Sequence, residues 1–283
     1  MDNLQIVYGL EKYFNFVNDT IKEQFVRNLI NLQHHTDNDR VWALKEIISF
    51  DYENIQPLNR QDRLMIYTNI CKNTDLNIDT TISLFDISWP DDAFVQKLSR
   101  IHYDGPAGLL FVIFTRTQVL SKIWLAETIS KFHNQFQNVL LLGGWTTHHT
   151  MYFKNIKVDS LYSIDIDSSV NEFARLFNEQ VIIENTNANY MFDDENDILI
   201  KGKKQDFDLV VNTSAEHMDL TWFNKLKPGT KVLIQSNNMD AEGHINKSEN
   251  LAEFLKKYPV SKTYYRGEIN FDQYRRYMLY GIK

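Results

Sequence analysis

NVLLLGGWTTHHTMYFKNIKVDSLYSIDID, residues 138–167, sets an apolar run against a pair of glycines and closes on two aspartates. Residues 139–142 are short, unbroken and apolar, as a strand covered on both faces of a parallel sheet must be. Gly143 and Gly144 follow at once. Glycines at the carboxyl end of such a strand let the backbone turn sharply and a ligand approach it closely. Residues 160–166 form a second strand ending in Asp165. That acid comes about twenty residues after the turn, the separation at which wound α/β sheets set a carboxylate against ribose hydroxyls. Side chains alternate along a strand, so Asp165 and Asp167 share a face unless the strand has already ended. Asp165 is assigned to hydroxyl binding and Asp167 to the cap of the next helix.

Downstream the pattern alternates. A helix is predicted to start over 147–153 and another to span 168–177, followed by a short strand at 181–183 and the strand DFDLVVN at 206–212. Residues 220–226 read as helix, 231–235 as strand after the Pro228-Gly229 turn, 251–257 as helix, and 261–265 with 276–282 as closing antiparallel strands. Strands joined by helices give a parallel sheet with right-handed crossovers, and the closing pair gives it a mixed edge. The fold class is therefore α/β, a Rossmann-like sheet, mostly parallel with an antiparallel edge.

Upstream, residues 1–136 read as a helical N-terminal domain preceding an α/β domain over 137–283. Tyr13, Phe14, Val17, Ile21, Phe25, Leu29 and Leu32 recur at three- and four-residue steps, the stripe of an amphipathic helix core. Thr36 to Asp39 offer capping oxygens for a second helix, and 61–71 reads as a third. Residues 88–108 hold two of the five prolines and read as a connector into a long helix over 107–136. His102, Tyr103 and Asp104 lie in that connector, and Tyr103 is carried as a substrate-side candidate.

Composition narrows the function. The chain has 283 residues, a formal charge of −7 and no clustered Lys and Arg, which argues against a general nucleic-acid binder and leaves room only for a local basic patch. One cysteine, Cys71, allows neither an internal disulfide nor a cysteine-built metal site and suits a reducing, cytoplasmic setting. No apolar run reaches the length of a membrane span, and no membrane partner is expected.

The densest chemistry is NTSAEHM, residues 212–218, directly after an apolar strand. His217 is a candidate general base toward a substrate amine or hydroxyl. Glu216 would orient it or hold a cationic group; the alternative for both is a helix-start cap. QSNN at 235–238 follows the next strand in the same way, so Asn237, His244 and Asn246 are candidates for one cleft. Arg276 begins the last strand, either binding a substrate carboxylate or standing as a solvated strand end. His148-His149 cannot chelate one ion from adjacent helix positions about 100° apart. The pair is read as surface, with His148 a pocket candidate, and no metal site is expected.

The glycine strand, the strand ending in Asp165, the polar loop after a third strand and DLVVNTSAEHM together resemble the class I S-adenosylmethionine-dependent methyltransferases over roughly residues 138–283. The resemblance implies a seven-stranded sheet with S-adenosyl-L-methionine across the carboxyl ends of its first strands. It places Gly143, Gly144 and Trp145 against the methionine part and Asp165 on the ribose. It sets Asn187 or Asn189 at the adenine and Asn212, Thr213 and Ser214 in the fourth motif. The sequence departs from that pattern in lacking the acid before the turn and its third glycine. Transfer of a methyl group to a small-molecule or peptide acceptor is the implied activity. Aminocarboxypropyl transfer of the nicotianamine synthase-like type and a non-catalytic nucleoside-binding module are the alternatives.

Overall fold

The computed structural model describes residues 116–283, apart from 154 and 272, together with Ile113. The helices expected over 1–107, Cys71 and the connector with His102, Tyr103 and Asp104 lie outside the described residues. The chain divides between Val119 and Leu120 into two units, and the second, Leu120–Lys283, carries the sheet.

Helix α1 spans Arg116–Phe132. Within it Ser121, Lys122, Leu125, Ala126 and Ile129 are buried, a repeat of three and four residues that defines one inward face. The Ser121 carbonyl accepts from Gln235 Nε2 at 3.0 Å, and Trp124 Nε1 donates to the Tyr265 hydroxyl at 3.1 Å. The texture of the sequence set the domain boundary at residue 137. By contact the sheet-bearing unit starts inside α1, at Leu120, and Ser121 and Trp124 of that helix bond to Gln235 and Tyr265, both in strands of the sheet.

The sheet contains β1 (Gln135–Leu142), β2 (Lys157–Asp165), β3 (Ile182–Asn185), β6 (Leu209–Asn212), β7 (Lys231–Asn237), β8 (Lys262–Asn270) and β9 (Arg275–Ile282), in the order β3-β2-β1-β6-β7-β9-β8. A two-residue hairpin, β4 (Leu199–Ile200) with β5 (Lys203–Lys204), stands apart. Pairings are parallel from β3 through β7, and β9 runs antiparallel to both β7 and β8. The mixed edge is thus made by one reversed strand inserted beside the outermost one. Helices α2 (Asn171–Phe177), α3 (Thr221–Lys225) and α4 (Leu251–Lys257) complete the connections. In α4 the Asn250 side chain accepts from the Glu253 N–H, and Glu253 accepts from the Glu249 N–H, a reciprocal cap that fixes where the helix starts.

Leu140, Leu142, Val210, Val232 and Ile234 meet Trp222, Phe223, Phe254 and Tyr258 in one apolar cluster on the side of α3 and α4. The order in which strands are added reverses at β1, since β2 and β3 lie on one side of it and β6 on the other. In an open α/β sheet the crevice for a ligand forms outside the carboxyl ends of such a pair of strands. The segments after β1, β2, β6 and β7 are placed there by topology alone.

One expected element is absent in its expected form. Residues 147–153 do not start an α-helix; His148–Tyr152 is a single 3-10 turn entered from Thr147 in the left-handed region at φ 54°. Its His148, His149, Met151 and Tyr152 are all buried, so the segment has no polar face to give solvent and cannot run as an amphipathic helix.

Candidate functional site

Gly143 and Gly144 carry the chain out of β1 by donating both N–H groups to the Ile164 carbonyl, at 2.9 and 3.3 Å. Gly143 sits at φ +57°, a conformation that disfavours a Cβ. A Cβ there would meet Met218 Cε at 2.7 Å and Ser214 Cβ at 3.5 Å, so the turn after β1 touches the turn after β6. At Gly144 a Cβ would fall 2.1 Å from Ser163 Oγ and 3.2 Å from Leu141 Cβ. Gly144→Ala is expected to destabilise the domain by about 1–3 kcal/mol, the usual range for overpacking. Urea unfolding measures it, and Ser163→Gly in the same chain should recover part of the loss.

Trp145 and Thr147 hold positive φ angles of 45° and 54° without being glycine. Two anchors hold this conformation: the Trp145 N–H donates to Asp165 Oδ2 at 2.8 Å, and Thr147 Oγ1 donates to the Ala174 carbonyl at 3.0 Å. Asp165 Oδ1 also accepts from the Asp167 N–H at 3.0 Å. The carboxylate therefore joins the turn after β1 to the end of β2 and stays partly exposed. Asp167 accepts from the Ser169 N–H and hydroxyl, the cap read from the sequence.

After β3, Asn187 is exposed and accepts from the Asn189 N–H, while Asn189 Nδ2 donates to Asp219 Oδ2 at 2.9 Å. Asn189 thus ties this loop to the segment after β6, and Asn187 spends its side-chain oxygen on its own turn. Asn212 is fully buried; its Oδ1 accepts from the Ser214 N–H and its Nδ2 reaches Met218 Sδ at 3.3 Å. The Thr213 carbonyl accepts from Arg276 Nη1 at 3.3 Å.

A second group of residues is buried and ionisable. Glu216 and Arg276 are 3% and 4% exposed, with Arg276 Nη2 3.9 Å from Glu216 Oε1. Asn237 Nδ2 donates to the same oxygen at 2.5 Å. Lys122, from α1, is 2% exposed. Burial pushes its ammonium well below the usual range, the Arg276 charge adds to that shift, and the Glu216 charge opposes it. Arg276 is therefore no solvated strand end, because β9 lies inside the sheet with neighbours on both sides.

His148 and His149 are buried as well, at 3% and 2% exposure, which overturns the surface reading of that pair. His148 Nδ1 lies 2.8 Å from Thr146 Oγ1, and its ring meets those of Trp145 and Phe177 edge-on. Burial, then the Lys122 charge, push the His149 imidazole down to about 3. His148 is lowered well below its ordinary value by burial first, with Lys122, His149 and Arg276 adding to it.

His217 is exposed, and its Nδ1 lies 3.1 Å from the Gly243 carbonyl. His244 Nδ1 lies 2.9 Å from the Met239 carbonyl, and the two imidazoles stand 4.5 Å apart and nearly perpendicular. Asn246 Nδ2 donates to the Met218 carbonyl and the Tyr258 hydroxyl, holding residues 239–246 against the turn after β6.

The structure thus brings Gly143, Gly144, Trp145 and Asp165 into one group, Asn189, Asn212, Ser214 and Met218 beside it, and Glu216, His217, Asn237, His244 and Arg276 into another. Asn187 faces solvent, and Tyr103 lies outside the described residues. Sequence reasoning missed Lys122 and Met218. Lys122 had a signal, since it stands three, four and seven residues before Leu125, Ala126 and Ile129 on the buried face of α1.

No family model matches the chain, and no curated protein does. Among solved structures it is similar to the N-methyltransferase NodS from Bradyrhizobium japonicum WM9 in complex with S-adenosylhomocysteine, at 13% identity and a TM-score of 0.43, over 59% of this chain and 87% of that one. It is similar also to YcgJ from Bacillus subtilis, at 12% identity and a TM-score of 0.42, over 58% and 98%. A third is the 1,6-didemethyltoxoflavin-N1-methyltransferase of Burkholderia thailandensis, at 12% identity and a TM-score of 0.41, over 66% and 87%. These scores are too low to bear on the fold, which rests on strand order. By that order the described unit is a Rossmann-like α/β domain, with the seven-stranded, mostly parallel sheet that the resemblance to class I S-adenosylmethionine-dependent methyltransferases implied.

Proposed function

We propose that the chain is an S-adenosylmethionine-dependent transferase, a methyltransferase toward a small-molecule or peptide acceptor. The observation that carries this reading is Asp165, whose carboxylate ends β2 beside the glycine turn of β1 while its oxygens keep lone pairs for further donors. A nucleoside fits that donor set. Ribose hydroxyls need an anionic acceptor at a strand end, and Gly143 at φ +57° turns the chain out of β1 right beside that carboxylate. Asn189 would stand on the adenine side and Ser214 near the methionine part. When bound, the sulfonium supplies an activated methyl group. The chain's own work is then to position the acceptor and take its proton.

His217 suits the second task. A carbonyl only accepts, so the Gly243 carbonyl requires the proton of His217 to sit on Nδ1 and leaves a lone pair on Nε2. His244 stands beside it, the two rings 4.5 Å apart.

The test needs no acceptor. S-adenosylhomocysteine is titrated into the full chain by calorimetry, and Asp165→Ala is expected to weaken binding by about 1.5–3 kcal/mol, the value of hydrogen bonds to a charged group. Asp165→Asn, which keeps an acceptor for Trp145, should recover part of that. A native chain with no affinity for either S-adenosylmethionine or S-adenosylhomocysteine would remove the basis of the proposal.

A further inference from the structure

Glu216, His217 and His244 each offer one ligand atom, and these atoms lie within 4.8 Å of one another. We propose that the three residues bind a single divalent first-row transition-metal ion of the zinc or ferrous kind, at the carboxyl ends of β6 and β7.

The orientation of each donor is set before any ion arrives. Both histidines direct Nδ1 at a backbone carbonyl, Gly243 for His217 and Met239 for His244. Each ring is thereby fixed as the Nδ1–H tautomer with a lone pair on Nε2. A carbonyl holding the distal N–H is how metal-ligating imidazoles are ordinarily aimed. Glu216 shows the same division of labour: Oε1 accepts from Asn237, while Oε2 is buried and has no hydrogen-bond partner among the described residues. A carboxylate oxygen in that state costs free energy until something positive or a donor reaches it.

The frame around the donors is tied at several points. The Asn246 N–H donates to the Glu216 carbonyl at 2.9 Å, and Asn246 Nδ2 to the Met218 carbonyl at 3.0 Å. These bonds hold the segment carrying His244 to the turn carrying Glu216 and His217. Bonds near 2 Å at tetrahedral angles separate ligand atoms by roughly 3.3 Å.

The cationic side chains nearby act against a metal ion, but their reach is limited. The closest approach of Arg276 is to Glu216 Oε1, at 3.9 Å, and its Nη1 is committed to the Thr213 carbonyl. The other acidic cluster, Asp193, Glu195 and Asp197, already surrounds the Lys204 ammonium at 3.0, 2.7 and 2.9 Å. It needs no ion.

Two imidazoles and one carboxylate leave at least one coordination position open, as in catalytic rather than structural sites. With the ion bound, the His217 lone pair is a ligand and no longer a base; an acceptor hydroxyl in the open position would instead lose its proton to bulk water near neutral pH, because a metal ion lowers the pKa of a bound oxygen. That role rests on the transferase reading; binding of the ion does not.

The full chain, stripped with a chelator, is titrated with Zn²⁺ and separately with Co²⁺, by calorimetry and by the visible absorption of bound cobalt. One ion per chain is expected, with the intense bands of low-coordinate Co²⁺. Both His217→Ala and His244→Ala should lose at least about 100-fold in affinity, the upper end of what outer-shell changes cost. Both side chains are at least partly exposed, and an unchanged urea midpoint confirms that the variants fold. No saturable binding, or a loss confined to one variant, overturns the site. S-adenosylhomocysteine affinity is measured on the same samples, so failure of the transferase reading is seen separately.

Discussion

Lowering the pH from 7 to 5 should destabilise the α/β unit by about 2 kcal/mol through His149 alone, with His148 adding in the same direction. The ordinary value of the imidazole is 6.5, and in the folded chain that of His149 is pushed down to about 3. Between those values the unfolded chain binds a proton that the folded chain refuses. The contribution is therefore fully present above pH 6.5 and is lost as the pH falls toward 3. The cause is local. Both rings are buried with Nε2 unpartnered among the described residues, and the Lys122 charge acts on both. Urea midpoints measured across this range in the native chain and in His149→Phe should diverge, the variant losing less on acidification. Parallel curves would mean that the rings are hydrated.

Glu216→Leu is expected to cost about 3–5 kcal/mol, the range seen when one member of a buried ion pair is removed. The loss strands two groups at once: the Arg276 guanidinium and the Asn237 amide whose donor reaches Oε1 at 2.5 Å. Arg276→Met in the same chain should recover part of the loss, because an apolar pair in place of a buried ionic one is often neutral. A double-mutant cycle in urea gives the coupling. A cost below about 1 kcal/mol would place Glu216 in water. The result also governs how function is tested: a Glu216 variant that fails to fold says nothing about chemistry, whereas His217 and His244 are accessible to substitution.

The strands were legible where burial is continuous. Val139 to Leu142, the apolar part of DFDLVVN, and residues 231–235 stand in β1, β6 and β7 because both faces of those strands are covered, so apolar runs are the only pattern they can carry. Strand β8 is expected only to residue 265 and runs to Asn270; as an edge strand it mixes exposed and half-buried residues with no apolar run, and its Arg266, Gly267 and Glu268 look like a turn. Asp165, Gly143 and Gly144 were legible because backbone geometry selects them. The buried charges were not. Nothing local distinguishes His148-His149 from a surface pair, or Arg276 from a solvated strand end; their burial comes from α1, α2 and the inner position of β9, all distant in sequence. Pairing of Glu216 with Asn237, and of His217 with His244, depends on neighbouring strand ends that only the assembled sheet brings together.

The inner position of β9 also bears on how the chain is made. Synthesis delivers β8 before β9, yet β9 lies between β7 and β8 in the sheet. While the polypeptide emerges, β7 offers an open edge bearing Val232, Leu233 and Ile234, and β8 has no partner in its final place. An unpaired apolar edge is a template for joining another chain. Until Tyr277, Met278, Leu279 and Tyr280 pair with it, the β7 edge is therefore open to joining another chain, and β8 cannot close it.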